Sequence, residues 1–307
     1  MTTGIKKMTK KEFNFNPSEK ILKEKNIQRK KFLAVFDGYK FSKSTLEYAI
    51  QLALQSDAYL IGVFLDEFIY RSYSAYNVMN TYKDPLELLK KMDAKDKEKR
   101  DEAVMKFEKA CAKTGVNHAI HRDKYIAIQE LKQESIFADL IIINENETFN
   151  RFTEKLPTRF IRDLLTDVQC PVVVVPKAFK PVDKIVLLYD GSPSSVFAIK
   201  MFSYLFGDTV DACVEVFTSK DELGSSHLPN NKLMREFIKR HFPKAEYIVN
   251  RGEAEVEIPG HLRNHKENEL VVLGAYRRSE ISRWFKTSMA DVLMKELDSP
   301  LFIAHNK

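Results

Sequence analysis

Short apolar runs alternate with helix-patterned segments along most of the chain. The runs are rich in Val, Ile and Leu, as at residues 140–143 and 172–175. Between them, apolar residues recur at spacings of three and four, which is typical of helices with one buried face. This alternation predicts α/β folding, with parallel strands covered by helices on both faces. The predicted strands are 32–36, 59–64, 118–121, 140–143, 172–175, 185–189, 212–217, 245–249, 270–273 and 301–304. The predicted helices are 42–54, 85–113, 127–135, 158–166, 194–205, 232–241, 253–264 and 288–297.

The sequence around the first strand occurs twice. Residues 31–54 and 184–206 each contain an apolar run, an Asp-Gly pair, a polar turn and then helical spacing. Aligning the copies places Asp37 on Asp190 and Ser42 on Ser195. Internal similarity at a fixed offset indicates a duplicated structural unit.

Each copy closes with a strand that a proline introduces, at Pro171 and Pro300. Pro176 and Pro181 mark the connection between the copies, because proline prevents continuation of the preceding strand. The predicted divisions are a basic N-terminal tail at 1–30, a first domain at 31–179 and a second domain at 182–307.

The basic tail accounts for the whole net charge of +6, because residues 1–30 hold eight Lys and one Arg against three Glu. Such a segment is typically solvated, so the charge does not favour a nucleic-acid-binding surface. No apolar run approaches the roughly 20 residues that cross a bilayer, and we expect no membrane span. The three cysteines form no C-x-x-C pair, which argues against a disulfide framework and fits a cytoplasmic protein.

Ligands of doubly wound sheets bind beyond the carboxyl ends of the strands, where the strand order reverses. Asp37 and Asp190 follow the first strand of each copy. Such an Asp either accepts backbone N–H bonds in its turn or faces the crevice and accepts from a ribose hydroxyl. The sequence leaves both interpretations open.

The loop after the fourth strand carries the decisive pattern. Residues 31–307 resemble two tandem universal stress protein domains, whose ATP-binding members carry G-x2-G-x9-G-[S/T] in this loop. Gly274 matches the first glycine and Ser288 the final hydroxyl, whereas Arg277 and Thr287 stand at the other two glycine positions. Glycines there let backbone N–H groups approach the phosphates.

The corresponding loop of the first copy has lost every glycine. Asn144, Glu147 and Pro157 occupy the glycine positions, and Thr158 matches the hydroxyl. This loop carries a net charge of −1 over 144–156, whereas the second copy carries +3 over 277–286. We therefore expect the first loop to repel a polyphosphate.

The resemblance implies two Rossmann-like domains, each a five-stranded parallel sheet of order 3-2-1-4-5 flanked by helices. It also implies that the two domains pair through their last strands, and it leaves a homodimer open. We interpret the protein as a non-catalytic stress-response binding or regulatory protein. At most the second domain binds ATP, another adenine nucleotide or a different anion. The candidate nucleotide-binding residues are Asp190, Gly191, Ser192, Gly274, Arg277, Thr287 and Ser288.

Two alternatives deserve separate mention. An ATP-dependent hydrolase or transferase would use Asp190, Arg277 and Ser288, but no general base or metal-binding carboxylate pair is evident beside the loop.

His261 and His265 are four residues apart, on one face of a predicted helix. A third ligand is not evident in the sequence, and the Pro259–Gly260 pair predicts a break or a kink in that helix. We therefore predict no metal site.

Overall fold

The computed structural model describes residues 28–65, 73–123, 126–207, 212–220, 227–265, 268–274 and 288–306. Strands and helices alternate through most of this part of the chain. The strands are β1 (Lys30–Phe36), β2 (Ala58–Leu65), β3 (His118–Asp123), β4 (Leu140–Asn144), β5 (Val172–Val175), β6 (Lys184–Leu188), β7 (Cys213–Lys220), β8 (Glu246–Arg251), β9 (Glu269–Gly274) and β10 (Leu301–Ala304). The helices are α1 (Lys43–Ser56), α2 (Ala75–Thr81), α3 (Pro85–Thr114), α4 (Ala127–Ser135), α5 (Arg159–Asp167), α6 (Pro193–Phe206), α7 (Asn231–His241), α8 (Ala254–Arg263) and α9 (Met289–Glu296).

The strands form one ten-stranded sheet in the order β3-β2-β1-β4-β5-β10-β9-β6-β7-β8. Every neighbouring pair is parallel except β5 and β10, which run antiparallel and place Leu301 opposite Val174. Each half therefore has the order 3-2-1-4-5, and the halves join through their last strands. The predicted fold class, strand order and pairing are confirmed, whereas the domain boundaries stay predictions.

Two apolar layers cover the faces of the sheet, and both contain residues from both halves. Phe206 of the second half lies 6.0 Å from Phe32 of the first half, between ring centroids. Lys30 Nζ also donates to the carbonyl of Leu205 at 2.6 Å. The junction is therefore buried in continuous apolar layers.

Serine hydroxyls set the first turns of α1 and α6. Ser42 accepts from the backbone N–H of Thr45 at 3.1 Å, and Ser192 accepts from that of Ser195 at 3.2 Å. Ser192, and not Ser195, is thus the structural equivalent of Ser42, which corrects the alignment. The strands keep the original offset, so the turn before α6 is three residues shorter than the turn before α1.

Helices α3, α2 and α8 each bear on the sequence predictions. Gly115 ends α3 with a φ of 76°, and Pro85 begins it, so this helix matches the predicted range 85–113 to within one residue. Helix α2 was not predicted, because it buries only Val78 and so shows no apolar period. Helix α8 runs through Pro259, so the predicted break is wrong, whereas the alternative of a kink stays a prediction. Proline removes one backbone hydrogen bond there, and the burial of Pro259 on the apolar face of α8 compensates for that loss.

The basic tail lies outside the described residues, apart from its last three. Among the helices that the structure describes, none is long and apolar enough to cross a membrane.

Candidate functional site

The strand order reverses between β1 and β4 in the first half and between β6 and β9 in the second half. Because ligands of doubly wound sheets bind beyond the carboxyl ends of such strands, we call the residues there the first crevice and the second crevice. The first crevice contains Asp37, Asn144, Glu145, Glu147 and Thr158. The second-half members are Asp190, Gly191, Ser192, Gly274 and Ser288.

Two buried carboxylates of the protein itself lie in the first crevice. Asp37 is only 1% exposed, and its Oδ1 accepts from the backbone N–H of Tyr39 at 2.8 Å. Glu147 is also buried, and its carboxylate accepts from the backbone N–H of Asp37. Burial, followed by the charge of Asp37, raises the pKa of Glu147 well above its usual range, although Lys40 opposes the shift. Glu147 therefore occupies the place that a glycine takes in the nucleotide-binding motif.

The hydroxyl of Thr158 in the first crevice makes hydrogen bonds to two backbone groups of the protein. It donates to the carbonyl of Glu147 at 2.6 Å and accepts from the N–H of Ile161 at 3.2 Å. The second contact caps α5, and the first fixes the loop that carries Glu147. Thr158 is buried, so its hydroxyl is not presented to a ligand.

Asn144 and Glu145, two further polar residues of this loop, also face protein groups. Asn144 Nδ2 donates to the carbonyl of Pro176 at 3.2 Å, and its Oδ1 accepts from the N–H of Asn146 at 3.0 Å. Glu145 is buried, and this burial, with the charge of Asp298, raises its pKa to about 7. The loop is therefore closed by its own side chains.

Asp190 in the second crevice is exposed, unlike Asp37. Its Oδ1 accepts from the backbone N–H of Ser192 at 2.8 Å, which is the bond that the turn interpretation predicts, and its exposure leaves the ribose interpretation open. Partial burial acts to raise the pKa of Asp190, but hydrogen bonds from Ser195 and Ser192 outweigh it and hold the pKa below its usual range. A charged, accessible carboxylate is thus available beside the turn.

Both glycines of the second crevice are required by close packing. Gly191 has a φ of 83°, and a Cβ built on it would lie 2.6 Å from Cβ of Pro229. A Cβ on Gly274 would lie 2.5 Å from the backbone of Ser194 at the start of α6. Gly274 therefore allows the first turn of α6 to rest on the end of β9.

Two serine hydroxyls at this end of the sheet are not used as Thr158 is. Ser288 precedes α9, yet its side chain makes no capping hydrogen bond. The buried hydroxyl of Ser194 has no hydrogen-bond partner among the described residues. Sequence reasoning missed Ser194, because nothing in a serine-rich turn marks which hydroxyl is left over. Arg277 and Thr287 lie outside the described residues.

Solved structures share this architecture. A universal stress protein from Archaeoglobus fulgidus DSM 4304 matches with a TM-score of 0.67 at 13% identity, over 91% of this chain and 99% of that chain. The chain has the tandem universal stress protein fold. A putative universal stress protein from Pseudomonas aeruginosa UCBPP-PA14 matches with a TM-score of 0.58 at 14% identity, over 89% of this chain and 92% of that chain.

A functionally unknown protein from Pseudomonas aeruginosa PAO1 matches with a TM-score of 0.57 at 13% identity. That match covers 89% of this chain and 92% of the other. No protein-family model and no curated protein matches the sequence. At such low identity the likeness establishes the fold and says nothing about the ligand.

Proposed function

We propose that this protein is a non-catalytic stress-response binding or regulatory module, in which only the second crevice takes a ligand. The observation that carries the proposal is the contrast between two equivalent hydroxyls. Thr158 bonds to Glu147 and caps α5, whereas Ser288 makes no capping bond at the start of α9. We expect the ligand to be an adenine nucleotide such as ATP, or another anion.

The second crevice has groups that suit both ends of such a ligand. Exposed Asp190 suits a ribose hydroxyl, since its hydrogen bonds favour the charged, accepting form. The N-terminus of α9 at Ser288 offers backbone N–H groups to a phosphate. The sequence adds four cationic side chains over 277–286.

The first crevice lacks room and has the wrong charge for a phosphate. Asp37 and Glu147 are buried side by side there, and a polyphosphate would have to displace one of them. Burying an anion beside a carboxylate is strongly unfavourable. We therefore assign no nucleotide to this half.

The absence of catalysis is part of the proposal. The lowered pKa of Asp190 makes its carboxylate a poor general base near neutral pH, because such a base works best with a pKa close to the working pH. A cytoplasmic location is also part of it, and the three free cysteines agree with a reducing compartment.

Calorimetric titration of the full chain with ATP tests the assignment. We expect binding of one equivalent without turnover, and a loss of about tenfold in affinity for Ser288→Ala, which is the usual cost of one hydrogen bond. The matched control is Thr158→Ala, which should lower stability and leave ATP affinity unchanged.

Other outcomes would contradict separate parts of the proposal. Hydrolysis of ATP by the purified protein would favour the enzyme alternative. Tight binding that Ser288→Ala leaves unchanged would show that the phosphates lie elsewhere. If ATP does not bind and mass spectrometry of the purified protein finds no retained anion, the second crevice is not a nucleotide site.

A further inference from the structure

Five ionisable side chains converge at the edge of the second half opposite its crevice. Lys184 and Glu269 begin neighbouring strands, β6 and β9, and lie opposite each other in the sheet. Glu215 comes from β7, His261 from the last turn of α8, and His265 from just beyond that helix. This set, which we call the histidine–glutamate cluster, consists of Lys184, Glu215, His261, His265 and Glu269.

Three members of the cluster present donor atoms to one point. His261 Nε2 lies 2.5 Å from Glu215 Oε1, and His265 Nε2 lies 3.9 Å from Glu215 Oε2. One ligand atom from each of these three residues lies within 4.8 Å of the others. A tetrahedral zinc ion with bonds of about 2.0–2.1 Å holds its donors about 3.4 Å apart. Modest side-chain shifts therefore bring these atoms into a first coordination sphere.

The sequence shows the histidine pair but not the third donor. Glu215 lies 46 positions before His261, and only the packing of α8 against β7 brings the two together. Glu215 is 1% exposed, and the ring of Phe217 stacks on His261 with centroids 4.3 Å apart. The donors are thus held in a mostly buried, partly apolar setting, and Glu215 is a candidate third ligand that the sequence does not reveal.

The surroundings of His265 match those of a metal-binding imidazole. Its Nδ1 is hydrogen-bonded to the carboxylate of Glu269. Ligand histidines usually donate their second ring N–H to a carboxylate, which fixes the tautomer and directs the other nitrogen at the metal. Nε2 of His265 accordingly faces Lys184 Nζ at 3.2 Å and accepts from it, since an ammonium only donates.

An ammonium group now takes the position of a cation in the cluster. Lys184 Nζ lies 2.8 Å from Glu215 Oε2 as well as 3.2 Å from His265 Nε2. With both histidines neutral, the two carboxylates exceed this one positive charge. A cavity of about 240 Å³ borders His265 and Glu269, giving a cation or water a route to the cluster.

We propose that the histidine–glutamate cluster is a binding site for a divalent transition metal of the zinc class, which exchanges with the Lys184 ammonium. Glu215, His261 and His265 are the ligands, with water in the remaining position, and Glu269 orients His265. Two imidazoles and one carboxylate form a donor set that zinc accepts readily. The site is independent of the second crevice and of any nucleotide.

Titration of the metal-free full chain with Zn²⁺ against a chromophoric chelator tests the site, together with the visible spectrum of added Co²⁺. We expect one equivalent to bind and to give the strong absorption of four-coordinate Co²⁺. His265→Gln and Glu215→Gln should abolish this equivalent, and Glu269→Gln should weaken it about 10–100-fold. Lys184→Met should strengthen binding, because it removes the competing ammonium.

His241→Gln is the matched control, since His241 belongs to α7 and is not part of the cluster. It should leave stoichiometry and affinity unchanged, and circular dichroism should show that all variants are folded. If the wild type binds no stoichiometric metal, the proposal is wrong. It is equally wrong if only Lys184→Met binds, since the lysine would then be the permanent occupant, or if His265→Gln, still folded, binds as the wild type does.

Discussion

The first and second crevices share a scaffold and differ in what their polar groups do. An Asp follows the first strand of each half, and its carboxylate accepts from the backbone N–H two residues later. A hydroxyl precedes the helix after the fourth strand in both, as Thr158 and Ser288. In the first crevice the Asp is buried and the hydroxyl is occupied, whereas in the second the Asp is exposed and the hydroxyl caps nothing. A binding site can thus close while its polar residues remain, once they bond to each other.

The turn after the first strand is the second difference. Three fewer residues separate Asp190 from the cap of α6 than separate Asp37 from the cap of α1. The shorter turn brings Ser194 against Gly274, where even a Cβ does not fit. The first half has Asn144 at the corresponding position, with its amide bonded to the carbonyl groups of Val175 in β5 and of Pro176 just beyond it. The shorter turn therefore requires glycine at position 274, whereas the longer turn of the first half allows a side chain at the equivalent position 144.

Gly274→Ala should have the largest effect on this comparison. The added Cβ would lie 2.5 Å from the backbone of Ser194, and a backbone contact cannot be relieved by a rotamer change. We expect a loss of about 3 kcal/mol in the free energy of unfolding, measured by urea denaturation. Gly260→Ala in α8, where nothing lies within 4 Å, should instead be neutral or stabilising. Equal effects at both positions would show that α6 does not rest on β9.

Glu145→Gln should show how much the buried charge of Glu145 lowers the free energy of unfolding. The pKa of Glu145 is about 7 in the folded chain and 4.5 in the unfolded chain, so the folded state binds more protons between these values. Stability from this group is therefore complete below pH 4.5 and is lost as the pH rises through 7. We expect the variant to be more stable by about 3 kcal/mol at pH 8, with no gain at pH 4.

The measurement is the free energy of unfolding as a function of pH. Exposed Glu108 provides the control, since Glu108→Gln should stay within about 0.5 kcal/mol of the wild type at both pH values. A gain for Glu145→Gln that does not depend on pH would mean that burial does not perturb this carboxyl.

The helix caps should give the smallest effect and the best match between halves. Ser42→Ala and Ser192→Ala each remove one capping acceptor and should each cost about 1 kcal/mol in thermal denaturation. Ser194→Ala removes a hydroxyl that has no partner among the described residues, so it should cost nothing. A penalty at Ser194 as large as at Ser192 would mean that its hydroxyl is bonded after all.

Local patterns predicted most of the scaffold, because its central strands are apolar on both sides and most of its helices repeat apolar residues at spacings of three and four. Strand β5 and helix α4 were predicted to the residue. Helix α2 was missed because it buries little, and α8 was mistaken as broken because burial outweighs the cost of Pro259. The family resemblance supplied the strand order, which propensity alone does not determine.

The sites were predicted less well, because their geometry depends on contacts between distant elements. The sequence places Glu147 at a glycine position, but it does not reveal that the side chain turns inward to Asp37. The cluster of Glu215 with His261 and His265 joins β7 to the end of α8, and no spacing rule connects them. Ser195 was aligned with Ser42 because an alignment by offset ignores a shortened turn.

The antiparallel contact of β5 with β10 has a consequence for how the polypeptide can be divided. Each of these strands would be an uncovered sheet edge if its half existed alone, and such edges recruit other chains. We therefore expect the ten-stranded sheet to form without the covalent connection near Pro176 and Pro181, but not without the contact between β5 and β10. The two halves, produced as separate fragments, should each be prone to aggregation and should reassociate into the native sheet when they are mixed.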